Sequence, residues 1–157
     1  MKKIKFLALP FLLVSAAQAA ETTTITLSAD VPSETFHFRP ITPISGAQEF
    51  DWDLLNEKLK ALSYDFSYNK GDATNSVTAK IASDVKLTNG ADTIPVAVTL
   101  GSVTLTTTAQ NVVEESDAAK GSKTLTLTPN ATGRAVAGTY SGTVEVTLDA
   151  VAKVTTR

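Results

Sequence analysis

His37 is the only histidine of the chain and cysteine is absent, so the side chains that most often carry nucleophilic or metal chemistry are nearly missing. A hydrolytic triad needs an imidazole held by a carboxylate and facing a nucleophile. His37 stands between Phe36 and Phe38 with no nucleophile-elbow signature near it. One imidazole without a thiolate also makes no metal-ligand set. Glu114, Glu115 and Asp117 resemble an acidic catalytic pair with a neighbour, but they lie in what reads as a polar, acidic loop, 111–122. Solvated carboxylates serve poorly as general acids. Trp52 between Asp51 and Asp53 offers a platform for a sugar ring, yet a lone tryptophan reads first as a packing anchor. The sequence therefore predicts no catalytic residue, no cofactor and no metal site.

Without chemistry of that kind, function has to come from surfaces. Residues 1–19 have the pattern of a secretory signal. Lys2, Lys3 and Lys5 precede an apolar core from Ile4 to Val14, too short to span a bilayer, and Ala17-Gln18-Ala19 gives the small-x-small cleavage pattern. Its removal leaves 138 of 157 residues, enough for one packed domain. It also takes three of the 14 basic residues, leaving 11 against 16 acidic ones. A chain of that balance has no basic stripe for nucleic acid and no attraction to anionic membranes. An exported chain without cysteine is held by packing and strand pairing rather than by disulfides.

Threonine and valine, both favoured on pleated surfaces, recur between closely spaced turn signals, which suits an all-β sandwich. Strands are expected at 36–39 (an edge at best, given Pro40 and Pro43), 63–68, 76–81, 94–100, 103–105 and 123–128. Asn89-Gly90 and Gly101-Ser102 are hairpin turns. A final long strand is expected from Thr139 to about Ala152. Residues 50–62 form the one helix candidate, with Asp51 as a cap and Leu54, Leu55, Leu59 and Leu62 at helical spacing; a strand over 58–62 remains open.

The leading segment of the mature chain, 20–32, alternates strictly. Thr23, Ile25, Leu27, Ala29 and Val31 share one face, and Thr24, Thr26, Ser28 and Asp30 the other. Pro32 ends it by removing a ladder donor. Near the other end of the chain, Tyr140, Val144, Val146 and Leu148 fall on the apolar face of the final strand. Two readings follow. Residues 20–31 pair within their own sheet, in an autonomous periplasmic β-sandwich that binds some partner. Alternatively, they leave a groove behind and complete another copy by strand addition.

The leading Ile25-Thr-Leu-Ser-Ala-Asp-Val-Pro32 resembles the first strand of major pilins of the CFA/I–CS1 group, the class 5 (alternate or alpha-type) chaperone–usher fimbriae. Three further blocks carry the resemblance. They are Thr74-Asn75 with Val77-Thr-Ala-Lys-Ile81, Ile94-Pro-Val-Ala-Val-Thr-Leu100 with Leu105-Thr-Thr-Thr-Ala109, and Ala137-Gly-Thr-Tyr-Ser-Gly-Thr-Val-Glu-Val-Thr-Leu148. Residues 50–68 match no block of that group, and 151–157 run past its usual end. The resemblance implies an incomplete immunoglobulin-like β-sandwich completed by donor-strand exchange, with a signal at 1–19, a donor strand at 20–32 and a pilin domain at 33–157. Thr23, Ile25, Leu27, Ala29 and Val31 would be the donor face, and Tyr140, Val144, Val146 and Leu148 part of the acceptor groove. The implied partners are identical or related pilin subunits, a periplasmic chaperone, an outer-membrane usher and a tip adhesin. The implied product is a structural, non-enzymatic subunit exported through the periplasm to a surface fimbria.

Overall fold

A computed structural model describes residues 35–131 and 136–153. The signal and the leading segment, including Thr23, Ile25, Leu27, Ala29 and Val31, lie outside the described residues. Within them every regular element is a strand. These are β1 (His37–Pro40), β2 (Trp52–Asp53), β3 (Lys58–Leu59), β4 (Leu62–Asn69), β5 (Ser76–Ile81), β6 (Lys86–Thr88), β7 (Thr93–Leu100), β8 (Val103–Thr104), β9 (Gln110–Val113), β10 (Lys120–Pro129) and β11 (Val146–Val151).

The alternating segments pair as their periodicity demands. One sheet has the order β1-β4-β10-β7-β6, with β8 on the same edge of β7 as β6 but further along it. The second sheet is β11-β5-β9. All pairings are antiparallel. The inner faces bury Val77, Ala79 and Ile81 of β5 against Val96, Val98 and Leu100 of β7, with Val113, Leu125 and Leu127 around them. This is an all-β, immunoglobulin-like sandwich, each strand giving one face to the core and one to water. Where β1 pairs with β4, the Phe38 ring lies 5.6 Å from that of Phe66 and 6.1 Å from that of Tyr68, centroid to centroid. Tyr68 also lies over Gly121, its cross-strand partner on β10. A Cβ there would sit 2.8 Å from the phenol oxygen, so only glycine lets the ring lie flat on the sheet.

Three expectations fail. Residues 111–122, read as a loop, open within β9, because Val112 and Val113 bury in the core, and close within β10. Residues 50–62 are not helical. Asp53 Oδ1 accepts from the amides of Leu55 (3.0 Å) and Asn56 (3.1 Å), as a helix cap would. Glu57 then takes a left-handed conformation (φ 49°) and the chain folds back, pairing Trp52 with Leu59. Asp53 has satisfied the turn locally, and a helix this short is marginal without a packed face. The open strand reading survives only as β3 and the start of β4.

The final strand is regular only over Val146–Val151. Before it, Ser141 exchanges backbone hydrogen bonds with Thr88 of β6 (2.9 and 3.0 Å). By Glu145 the chain has reached the second sheet, where its carbonyl accepts from Ala82. The segment therefore crosses between the sheets. Gly142 makes the crossing possible, because a Cβ on it would collide with the carbonyl oxygen of Lys86.

Candidate functional site: an open groove between the sheets

The two sheets part along one side, and the gap is an apolar groove of about 1060 Å³. Its floor is the inner face of the first sheet, with Leu62, Tyr64 and Phe66 of β4, Leu125 and Leu127 of β10, and Val96 and Leu100 of β7. One wall is the crossing segment and β11. All four residues expected there, Tyr140, Val144, Val146 and Leu148, line the groove. The opposite wall is irregular: Ile44, Gly46–Phe50 and Leu59 at the base of the β2–β3 hairpin.

β11 pairs with β5 on one side, and among the described residues its other edge pairs with no strand. An unpaired edge beside an apolar trough is a template for a further strand, and left bare it is an aggregation hazard. The wall residues are correspondingly unfinished. Val146 and Leu148 are half-buried although they point inward, and Val144 is 37% exposed. Polar contacts fix the rims. Tyr140 donates its hydroxyl to the Val136 carbonyl (3.0 Å), and Tyr64 donates to Gln48 Oε1 (3.1 Å). Gln48 in turn donates to the carbonyl of Ser45 (2.9 Å), which holds the irregular wall against β4.

The residues with chemical character sit elsewhere. His37 pairs with Asn69 in the β1–β4 ladder. Trp52 is 37% exposed on the hairpin. Glu114 and Asp117 close a turn: Asp117 Oδ2 accepts from the Glu114 amide (3.1 Å) and from Lys123 (3.4 Å). The Glu114 amide, then Lys123, hold the Asp117 carboxyl below its ordinary value of 3.8. Local hydrogen bonds do the same for Asp53, chiefly from Asn56, and for Asp72, chiefly from Thr74.

Sequence reasoning missed what that turn encloses. Lys70, in an Asn69-Lys70-Gly71-Asp72 stretch whose residue types signal a turn, is fully buried. Its ammonium donates to the carbonyls of Glu114 (3.1 Å), Glu115 (2.9 Å) and Asp117 (2.8 Å), so all three protons are used. The partners lie more than 40 residues away, and no local pattern announces them. Lys70 locks the 114–117 turn to the end of β4 and leaves nothing free for chemistry.

The described residues thus form an immunoglobulin-like sandwich with an open apolar flank. The profile of the CS1 type fimbrial major subunit family matches residues 21–149, and the chain belongs to that family. Among solved structures, it is similar to the CooA pilin subunit from enterotoxigenic Escherichia coli. The TM-score is 0.63 at 19% identity, over 74% of this chain and 87% of that one. That likeness is one of fold. No curated protein gives a significant match. The chain is thus a structural subunit of a fimbria, of the major-subunit kind, acting with other pilin subunits in a surface fibre.

Proposed function

We propose that the subunit polymerises by donor-strand complementation, residues 20–32 of one copy lying in the groove of the next. The observation that carries this is the free edge of β11 beside the trough lined by Tyr140, Val144, Val146 and Leu148. The leading segment has the matching pattern, with Thr23, Ile25, Leu27, Ala29 and Val31 on one face. Burying that face contributes roughly 5–8 kcal/mol, at about 1.5–3 kcal/mol per large side chain. Ordering a dozen residues costs more than that, at about 1–2 kcal/mol each. The assembled state is therefore held by fit and by ladder bonds along β11.

In this reading residues 1–19 direct export and residues 33–157 form the pilin domain. A periplasmic chaperone covers the groove until an outer-membrane usher allows the incoming subunit to replace it, and a separate adhesin sits at the fibre tip. The subunit itself has no enzymatic role. Leu27→Asp tests the donor assignment. A charge entering the apolar groove should stop fibre growth while leaving chaperone capture intact. Fibres of normal length from that variant would end the donor-strand account.

A further inference from the structure

The β2–β3 hairpin exposes what a soluble surface ordinarily hides. Leu54 is 83% and Leu55 94% exposed at its tip, beside a Trp52 that is 37% exposed. The strand exchange proposed above does not use this tip, although the base of the hairpin, at Phe50 and Leu59, forms part of the groove wall.

Register places the hairpin at one end of the sandwich. It precedes Leu62, which pairs with Leu127 and, through it, with Val98. The same end carries the β6–β7 turn, and there the groove wall begins, at the Ser141–Thr88 bridge. β11 then runs away from that end until Val151 reaches Ser76. β1 starts at the far end, where His37 pairs with Asn69.

A strand added antiparallel to β11, like every pairing in this sheet, runs the opposite way. Its C-terminal end comes out at the hairpin end. Only five residues, 32–36, separate Val31 from His37, the first residue of β1. At about 3.3–3.6 Å per residue they reach roughly 20 Å fully extended. The body of the copy that donates the strand is thus tethered against the hairpin end of the copy that receives it. It presents its own β1 end, with the 70–75 and 114–119 connections and the exposed alanines Ala73 and Ala118.

We propose that the hairpin tip, through Leu54 and Leu55, is a docking surface for the body of the neighbouring copy, a second subunit contact beside the exchanged strand. The inference rests on the donor-strand reading for the identity of that neighbour. The receiving surface is stiff, since the buried Lys70 pins its loop to β4.

The chain has no cysteine, so a single thiol reports cleanly. In intact fibres carrying Leu55→Cys, maleimide should label position 55 at least tenfold more slowly than a control Thr124→Cys, exposed on β10 opposite Asp65 and midway between the two ends of β4. In the chaperone-held Leu27→Asp subunit the two positions should label alike. Equal labelling in fibres would overturn the docking surface while leaving strand exchange standing. Fibres formed by Leu27→Asp would overturn strand exchange, and with it the neighbour named here. As a second arm, Leu54→Asp with Leu55→Asp changes only exposed side chains, so the subunit should fold and bind a peptide of residues 20–32 normally. Its fibres should dissociate in detergent at least tenfold faster, and dissociation at the wild-type rate would refute the contact.

Discussion

Val146 offers the sharpest test of the acceptor groove. It opens β11, pairs with the buried Ile81 and faces the trough half-covered. A strand filling the groove removes the remaining exposed part, a gain of about 1 kcal/mol if half of a valine is newly buried. Val146→Thr keeps the shape but leaves a hydroxyl without a partner, a penalty of about 1–3 kcal/mol. A labelled peptide of residues 20–32 should then bind roughly tenfold more weakly, since about 1.4 kcal/mol is a factor of ten. Val146→Asp adds desolvation of a carboxylate, several kcal/mol, so binding at neutral pH should be lost, together with chaperone capture. Part of it should return in acid, because burial favours the protonated carboxyl. The assay refolds subunits carrying Leu27→Asp in their own leading segment in the presence of the peptide and follows its anisotropy. Val151→Asp is the control, on the same strand but outside the groove lining. Wild-type affinity in both Val146 variants, or an equal loss in the Val151 control, would refute the assignment.

Lys70→Met retains the aliphatic stem but strips three carbonyls of their donor. Leaving a buried carbonyl without a donor costs about 1–3 kcal/mol, so the urea midpoint of the peptide-completed subunit should fall below wild type; an unchanged midpoint would mean the cage is decorative. Acid should also weaken the fold. Asp53, Asp72 and Asp117 are all held below the ordinary value of 3.8, so the unfolded chain binds more protons than the native one as pH falls. Their contribution is present above about pH 4 and disappears as pH drops through the lowered native values. Urea midpoints measured between pH 2.5 and 6 should decline below about pH 4, less steeply in Asp117→Asn, and a profile identical to wild type in that variant would exclude Asp117 as a contributor.

Local pattern carried much of this fold. Residues 76–81 alternate and are β5; 94–100 alternate and are β7 but for one residue. Asn89-Gly90 turns where φ of Gly90 is 97°. Tyr140, Val144, Val146 and Leu148 all line the groove, but only Val146 and Leu148 lie on a regular strand, where alternation fixes the shared face. What the pattern hid was set by distant partners. Gly142 reads as any strand glycine until the Lys86 carbonyl is brought against it. Lys70 reads as a turn residue until a loop 44 residues later closes over its ammonium. The helix expected at 50–62 failed by a different route. Leucines at helical spacing signal a helix only if that face meets a core, and Leu54 and Leu55 meet none within the subunit.

That failure and the groove have one physical origin. A domain that folds alone settles its apolar residues inside one chain, so periodicity and burial agree. Among the described residues they disagree at several places, two of which are the inward face of β11, left half-covered, and the hairpin tip, left bare. Both lie toward where a neighbour's strand and body must come if residues 20–32 cross between copies, the first along the groove and the second where the short 32–36 connection ends. A monomer optimised for its own stability would gain by placing polar residues at 54 and 55 and by shielding the edge of β11 with a charge or a proline. Retaining apolar residues at both sites is reasonable only for a chain whose working state is the polymer.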